Sequence, residues 1–217
     1  MPVARVRGPG HPDQVCDLIA AAIVEEYEKR DPKSRLHIRV MGGHGALFVA
    51  GEVLSSADFD VSSVVRRVMG ASGVAGETEP FIALEPMTSV WAPETGAREL
   101  VTVTAYATDE TKERTPSYVS MARKAARLLE SRRVEDEDWF WLDADYEVFV
   151  ERVGQDSVTV VRAGHANGKP VTEVRSAIQR LFTEAGISSS VRINTAGEET
   201  RPGLMHRVGS SARATSL

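Results

Sequence analysis

The order in which hydrophobic periodicities follow one another constrains this chain more than any single motif. Period-two alternation and helical spacing succeed each other as β-α-β-β-α-β, and that order occurs twice. In the first block, residues 3–7 (VARVR) alternate as a strand. Val15, Leu18, Ile19, Ala22 and Ile23 then recur at helical spacing behind Pro12, whose missing N–H suits a first helical position. Residues 36–41 and 46–53 read as two strands around the Gly42-Gly43-His44-Gly45 turn. Asp60 can cap a helix with an apolar stripe of Val61, Val64, Val65, Val68 and Met69, and a strand near 80–86 closes the block.

The second block starts with a strand at 99–105 and a polar loop, ATDETKERT. A helix follows from Thr115-Pro116 to about Arg133, with Val119, Ala122, Ala126 and Leu129 on one side. Strands at 146–153 and 157–163 flank a Gly154-Gln155-Asp156 turn. A helix over 171–185 turns Val174, Ala177, Ile178, Leu181 and Phe182 inward, and a last strand covers about 190–194. Antiparallel strand pairs with helices gathered on one face predict an α+β fold with mainly antiparallel or mixed sheets. The expected division is a module over 1–90, a second over 91–196, and a flexible tail over 197–217, rich in Gly, Ser, Thr and Arg.

Composition narrows the function classes. With 42% hydrophobic and 26% charged residues, 217 residues suffice for one large or two small folded modules. No apolar run reaches the roughly 20 residues that span a bilayer, and the first residues lack a secretory apolar region. One cysteine, Cys16, fits a reducing cytoplasm and reads as a small buried helix residue. A net charge of −5 without a basic block argues against a nucleic-acid partner. Five scattered histidines and one cysteine make no zinc-type cluster. The acidic run at 135–138 reads as a solvated linker, Trp139 and Trp141 as core anchors, and His44 and His206 as exposed. His165, at a strand end, is open to a structural or a functional reading.

The densest chemistry lies in Gly10-His11-Pro12-Asp13, followed by Cys16-Asp17. A Gly-His-Pro turn at a helix start aims backbone N–H groups and an imidazole outward, where the helix dipole favours an anion. Asp13, in the first turn, could hold Mg²⁺ beside it. The plainer reading is a Pro-initiated helix with an acidic first turn.

GHPDQVCD resembles the GHPDK-(I/V)-(A/C)-D signature of the S-adenosylmethionine synthetase family. VAGEVLSSADFDVSSVVRRV is similar to its V-G-G-E-I-T-T run, and TAYATDETKERTPSYVSMARKAARLL to its GYATNET segment. DADYEVFVE sits where the family has PD-x-K-x-QVT, VVRAGH where it has STQH, and RINTAG where it has INPTG. The resemblance runs over about residues 5–213. It implies adenosyl transfer between ATP and methionine, or related chemistry at C5′ of ATP or S-adenosylmethionine, with Mg²⁺. It assigns His11 to the leaving triphosphate as the catalytic residue, Asp13 to the metal, and Glu52 to the methionine amino group. Asp143 falls near the ribose, and Arg213 near the family's phosphate-contacting Arg. Glu99 stands at the substrate-binding Asp of GAGDQG. Departures accompany the matches. Gln14 replaces a Lys, Pro9 a Glu, Asp145 the catalytic Lys, and Ala214 the Lys of TGRK. Arg39 stands at the potassium-binding Glu, so a K⁺ site is expected to be lost. GGP-x-GD gives way to RPGLMHRVG, and the lid region shortens to about 87–98. The resemblance implies a shortened member without the family's third domain. The expected partners are a second copy of the chain or a complementary synthetase-like subunit. A non-catalytic nucleotide- or S-adenosylmethionine-binding module is the alternative.

Overall fold

Alternation puts Ala4 and Val6 on one face of the first strand, and that face selects the sheet the strand joins. The computed structural model describes residues 2–73, 79–88, 102, 104–187, 190–212 and 214–216. In chain order the elements are β1 (Val3–Arg7), α1 (Pro12–Arg30), β2 (Arg35–Gly43), β3 (Ala46–Leu54), α2 (Val61–Ala71) and β4 (Glu79–Pro86). They continue with α3 (Ser117–Glu135), β5 (Leu142–Val153), β6 (Asp156–His165), α4 (Val171–Glu184), β7 (Ser190–Ile193), β8 (Gly209–Ser210) and β9 (Ala214–Ser216). The chain divides into two units: Met1–His11 with Thr104–Gly203, and Pro12–Val103 with Leu204–Leu217.

The first unit holds a sheet in the order β1-β5-β6-β7, antiparallel except for the parallel β6–β7 pair. The sequence order places β1 at the head of the first module. The structure corrects this: β1 pairs with β5, with Ala4 opposite Val150 and Val6 opposite Val148. That register continues an apolar face covered by α3 and α4, where Ala4, Val148, Val150, Leu129, Ile178 and Phe182 are buried together. On α3, Ala122, Ala125 and Ala126 keep side chains short where the helix meets this core. The strand expected at 99–105 lies largely outside the described residues. The acidic run is exposed apart from half-buried Asp136, which caps a 3-10 turn (Glu137–Trp139) by accepting the Asp138 N–H at 3.1 Å. Trp139 and Trp141 stack at 5.2 Å between centroids and pack, half-buried, on the core.

The second unit holds β4-β3-β2-β8, with β9 also on β2; among the described residues only the β3–β4 pair is parallel. The β2–β3 hairpin closes through His44 and Gly45, both at positive φ (53° and 83°), the twisted two-residue turn that suits paired strands. Asp60 accepts the Ser62 N–H at 2.9 Å and caps α2 as expected. One sheet face, with Leu36, Ile38, Val40, Leu47 and Val49, is buried with α1 and α2. The other leaves Met41, Phe48 and Phe81 in one exposed row, the two rings stacked at 5.2 Å.

The expected flexible tail is a further correction. Leu204 is buried in the second core, β8 and β9 pair with β2, and the Ser211 N–H donates to the Val40 carbonyl at 2.8 Å. Low apolar periodicity hid this, because short edge strands are held mainly by backbone bonds. Cys16 is fully buried, and burial, followed by the charges of Asp13 and Asp17, pushes its thiol up to about 12. Alkylation of the native protein by iodoacetamide at pH 8 is therefore expected to be negligible and to appear only on unfolding in urea. Rapid native labelling would contradict this burial.

Candidate functional site

Two glycines bring the Gly-His-Pro-Asp segment against β5. Past β1, the Gly8 and Gly10 N–H groups donate to the Tyr146 and Ala144 carbonyls at 2.8 and 3.0 Å. A Cβ on Gly8 would meet the Ala144 oxygen at 2.4 Å, and one on Gly10 the Ala144 Cβ at 2.7 Å, so neither position has room for a side chain. Here the β5–β6 register shifts between Leu142 and Tyr146, and the Asp145 N–H bonds to the Asp143 carboxylate at 2.8 Å. Asp145 itself is 0% exposed.

His11 is buried, with Nε2 2.8 Å from Glu147 Oε1, an ion-pair contact when the imidazole is protonated. Glu147 lies in a cross-strand row with Arg7 on one side and Arg162 on the other. It accepts from Arg5 Nε at 2.9 Å, and Arg162 Nε stands 3.5 Å from its second oxygen. Arg162 also pairs with Asp145 and lies 3.7 Å from Glu199. The second oxygen of Asp145 accepts the Gly203 N–H at 2.7 Å. Burial alone would raise the Glu147 carboxyl, but the hydrogen bonds and charges of His11 and Arg5 outweigh it and hold the group at about 2. Burial pushes the Asp143 carboxyl up, against the Asp145 N–H that stabilises its charge.

His165 resolves toward structure. Its Nε2 accepts the Glu199 N–H at 3.1 Å, while its own backbone N–H donates to the Glu199 carbonyl at 3.0 Å. An accepting Nε2 leaves the proton on Nδ1, 3.3 Å from the Ala166 carbonyl. The ring thus ties the segment after β7 to the end of β6.

In the second unit, Asp13 lies in the first turn of α1 and accepts the Ser210 N–H at 3.1 Å, while Asp17 accepts the Ala212 N–H at 2.6 Å. Glu52 lies on β3, half-buried on the helix-free face, in a row between His37 and Glu85. Gly51 beside it has no room for a Cβ, which would lie 2.1 Å from the His37 oxygen. Glu99 and Arg213 lie outside the described residues. Arg39 is an exposed β2 residue opposite Ala50.

The candidates thus divide between the units. In the first, His11 turns to Glu147 while Asp143 holds the irregular start of β5. In the second, Asp13 meets the tail, and Glu52 lies on the open sheet face. Sequence reasoning missed Arg5, Arg7, Glu147, Arg162 and Glu199 as one cluster. The available signal was charge alternating along two strands, Arg-x-Arg in VARVR and Asp-x-Glu in DYE; their pairing was not legible without the register. Among the described residues, no group of three or more His, Cys, Asp or Glu could hold a metal ion. Asp13 fits Mg²⁺ only as a protein ligand to an ion that also takes phosphate and water oxygens.

Residues 4–88 match the family described as S-adenosylmethionine synthetase, N-terminal domain. Over 205 residues the chain is 30% identical to the S-adenosylmethionine synthase of Sorangium cellulosum (strain So ce56), covering 84% of this chain and 49% of that protein. It is 26% identical over 213 residues to the S-adenosylmethionine synthase of Prochlorococcus marinus (strain MIT 9515), with the same two coverages, 84% and 49%. A solved structure, an unusual S-adenosylmethionine synthetase from Campylobacter jejuni, shares the fold with a TM-score of 0.83 at 22% identity, over 97% of this chain and 62% of that one. The chain spans about half the length of the curated relatives it matches.

Proposed function

The chain belongs to the S-adenosylmethionine synthetase family, and on that footing we propose that it acts at C5′ of an adenosyl compound. The reaction is adenosyl transfer between ATP and methionine, or related C5′ chemistry on ATP or S-adenosylmethionine, with Mg²⁺. The observation that carries this is the Gly-His-Pro-Asp segment. Gly8 and Gly10 leave no slack against β5, His11 is locked on Glu147, and Asp13 opens α1. A fixed imidazole and a helix-start carboxylate are groups that place and stabilise charge at a leaving group.

His11 would orient the departing group, with its Nε2 proton held in place by Glu147. Asp13 would hold Mg²⁺ borne on phosphate, and the ion's chemistry would be charge stabilisation. Glu52 would take the amino group of the amino-acid half, and Asp143 the ribose. The exposed Met41, Phe48 and Phe81 row favours pairing with a second copy of the chain. A complementary synthetase-like subunit is the other partner to test. No observation favours the non-catalytic reading.

The test is incubation with ATP, methionine and Mg²⁺, and in parallel with S-adenosylmethionine, with products identified by mass spectrometry. Turnover in either arm is expected. His11→Ala and Asp13→Asn should each weaken adenosyl-compound binding by roughly tenfold or more, as expected for loss of a charged hydrogen bond. No turnover together with no saturable binding would overturn the reading.

A further inference from the structure

The cluster around His11 contains as many carboxylates as guanidinium groups. Arg5, Arg7 and Arg162 face Asp145, Glu147 and Glu199, and their charges cancel. The carboxylates at the centre, Asp145 and Glu147, are 0% and 4% exposed, and Arg162 spans both. His11 is committed to Glu147. The carboxylates that these guanidinium groups face are therefore supplied from within the chain. A phosphate chain approaching these guanidinium groups would have to draw them away from buried carboxylates and leave those carboxylates beside a polyanion. Like charges in a poorly hydrated site repel strongly, and each stripped carboxylate has lost its compensation. A sulfonium has the opposite sign, so binding it asks for no cation from the cluster.

We infer that Asp145 and Glu147 are built-in anions that set the substrate class, so that the chain takes an S-adenosyl sulfonium in preference to a triphosphate nucleotide. This rests on the C5′ reading above and chooses within it. Asp145, being fully buried, acts through Arg162 and the Gly203 N–H and does not touch the ligand. It is a specificity-determining residue rather than a catalytic one. Asp145 lies two residues from Glu147 on β5, and the Arg7–Glu147–Arg162 row extends the same compensation across three strands.

The experiment is calorimetric binding of S-adenosylmethionine, ATP and inorganic tripolyphosphate to the full chain, each with Mg²⁺. The wild-type protein is expected to bind S-adenosylmethionine at least tenfold more tightly than ATP, and tripolyphosphate should not compete. Asp145→Asn keeps the shape and removes the charge, so the S-adenosylmethionine-to-ATP affinity ratio should move at least tenfold toward ATP. Glu199→Gln, at the more accessible edge, should move it the same way by a smaller factor, and it serves if Asp145→Asn fails to fold. A purely structural role would lower both affinities together and leave the ratio unchanged. Equal wild-type affinity for ATP and S-adenosylmethionine would overturn the inference, as would folded variants with an unchanged ratio. Failure of every adenosyl compound to bind would instead overturn the C5′ reading on which the inference depends.

Discussion

Glu147→Ala is expected to lower the unfolding free energy by about 3–5 kcal/mol, the cost of removing one partner from a buried ion network. Four cationic or potentially cationic groups, Arg5, Arg7, Arg162 and His11, converge on this carboxylate, and it is nearly inaccessible to water. Without it they repel one another where water compensates poorly. Urea titration at pH 7 measures the loss. A value under about 1 kcal/mol would mean that the arginines swing out to solvent and that the cluster contributes little.

The same residue gives a pH signature. Its folded-state pKa is depressed to about 2 from an ordinary value of 4.5. A depressed carboxyl stabilises the fold fully above its unfolded pKa, and that contribution is lost as pH falls through the folded one. Stability should therefore decline between about pH 4.5 and 2 by an amount on the order of 3 kcal/mol from this group. Glu147→Gln should flatten that part of the profile, as read from urea midpoints at successive pH values. A slope unchanged in the Gln variant would assign acid sensitivity to other carboxylates.

Gly209→Ala is expected to detach the tail. A Cβ there would lie 2.3 Å from the Pro12 carbonyl carbon and 2.6 Å from the Asp13 nitrogen. Both are backbone atoms in the first turn of α1, so no side-chain rotation relieves the clash. Overpacking of this kind costs about 1–3 kcal/mol, and releasing the tail is the available escape. Release would break the Ser210 and Ala212 bonds to Asp13 and Asp17 and the Ser211 pairing with Val40. Amide exchange at these tail positions should then accelerate on the order of 10- to 100-fold. Unchanged protection would mean that α1 shifts to admit the methyl.

The elements themselves were legible because each carries a local signal. Val61, Val64 and Val65 mark α2 by period, Asp60 marks its start, and the Gly42–Gly45 run marks the hairpin. The start of α1 was legible too, because Pro12 and Asp13 suit a first turn whatever surrounds them. Partners far apart in sequence were not. Arg5 and Glu147 are 142 positions apart, and nothing local to either announces the other. The tail escaped for the same reason: Gly209 matters through Pro12 and Asp13, almost 200 positions earlier.

Sequence by itself determined the β-α-β-β-α-β order of the first block, the amphipathic faces and a Gly-His-Pro-Asp helix start, since these follow from period, caps and backbone limits within a few residues. Only the tertiary structure decided that the first strand joins the sheet of the later module and that the tail edges the other sheet. It also decided that His11 faces a carboxylate among arginines. Strand register and burial set those outcomes, and both are properties of long-range pairing that no local pattern encodes.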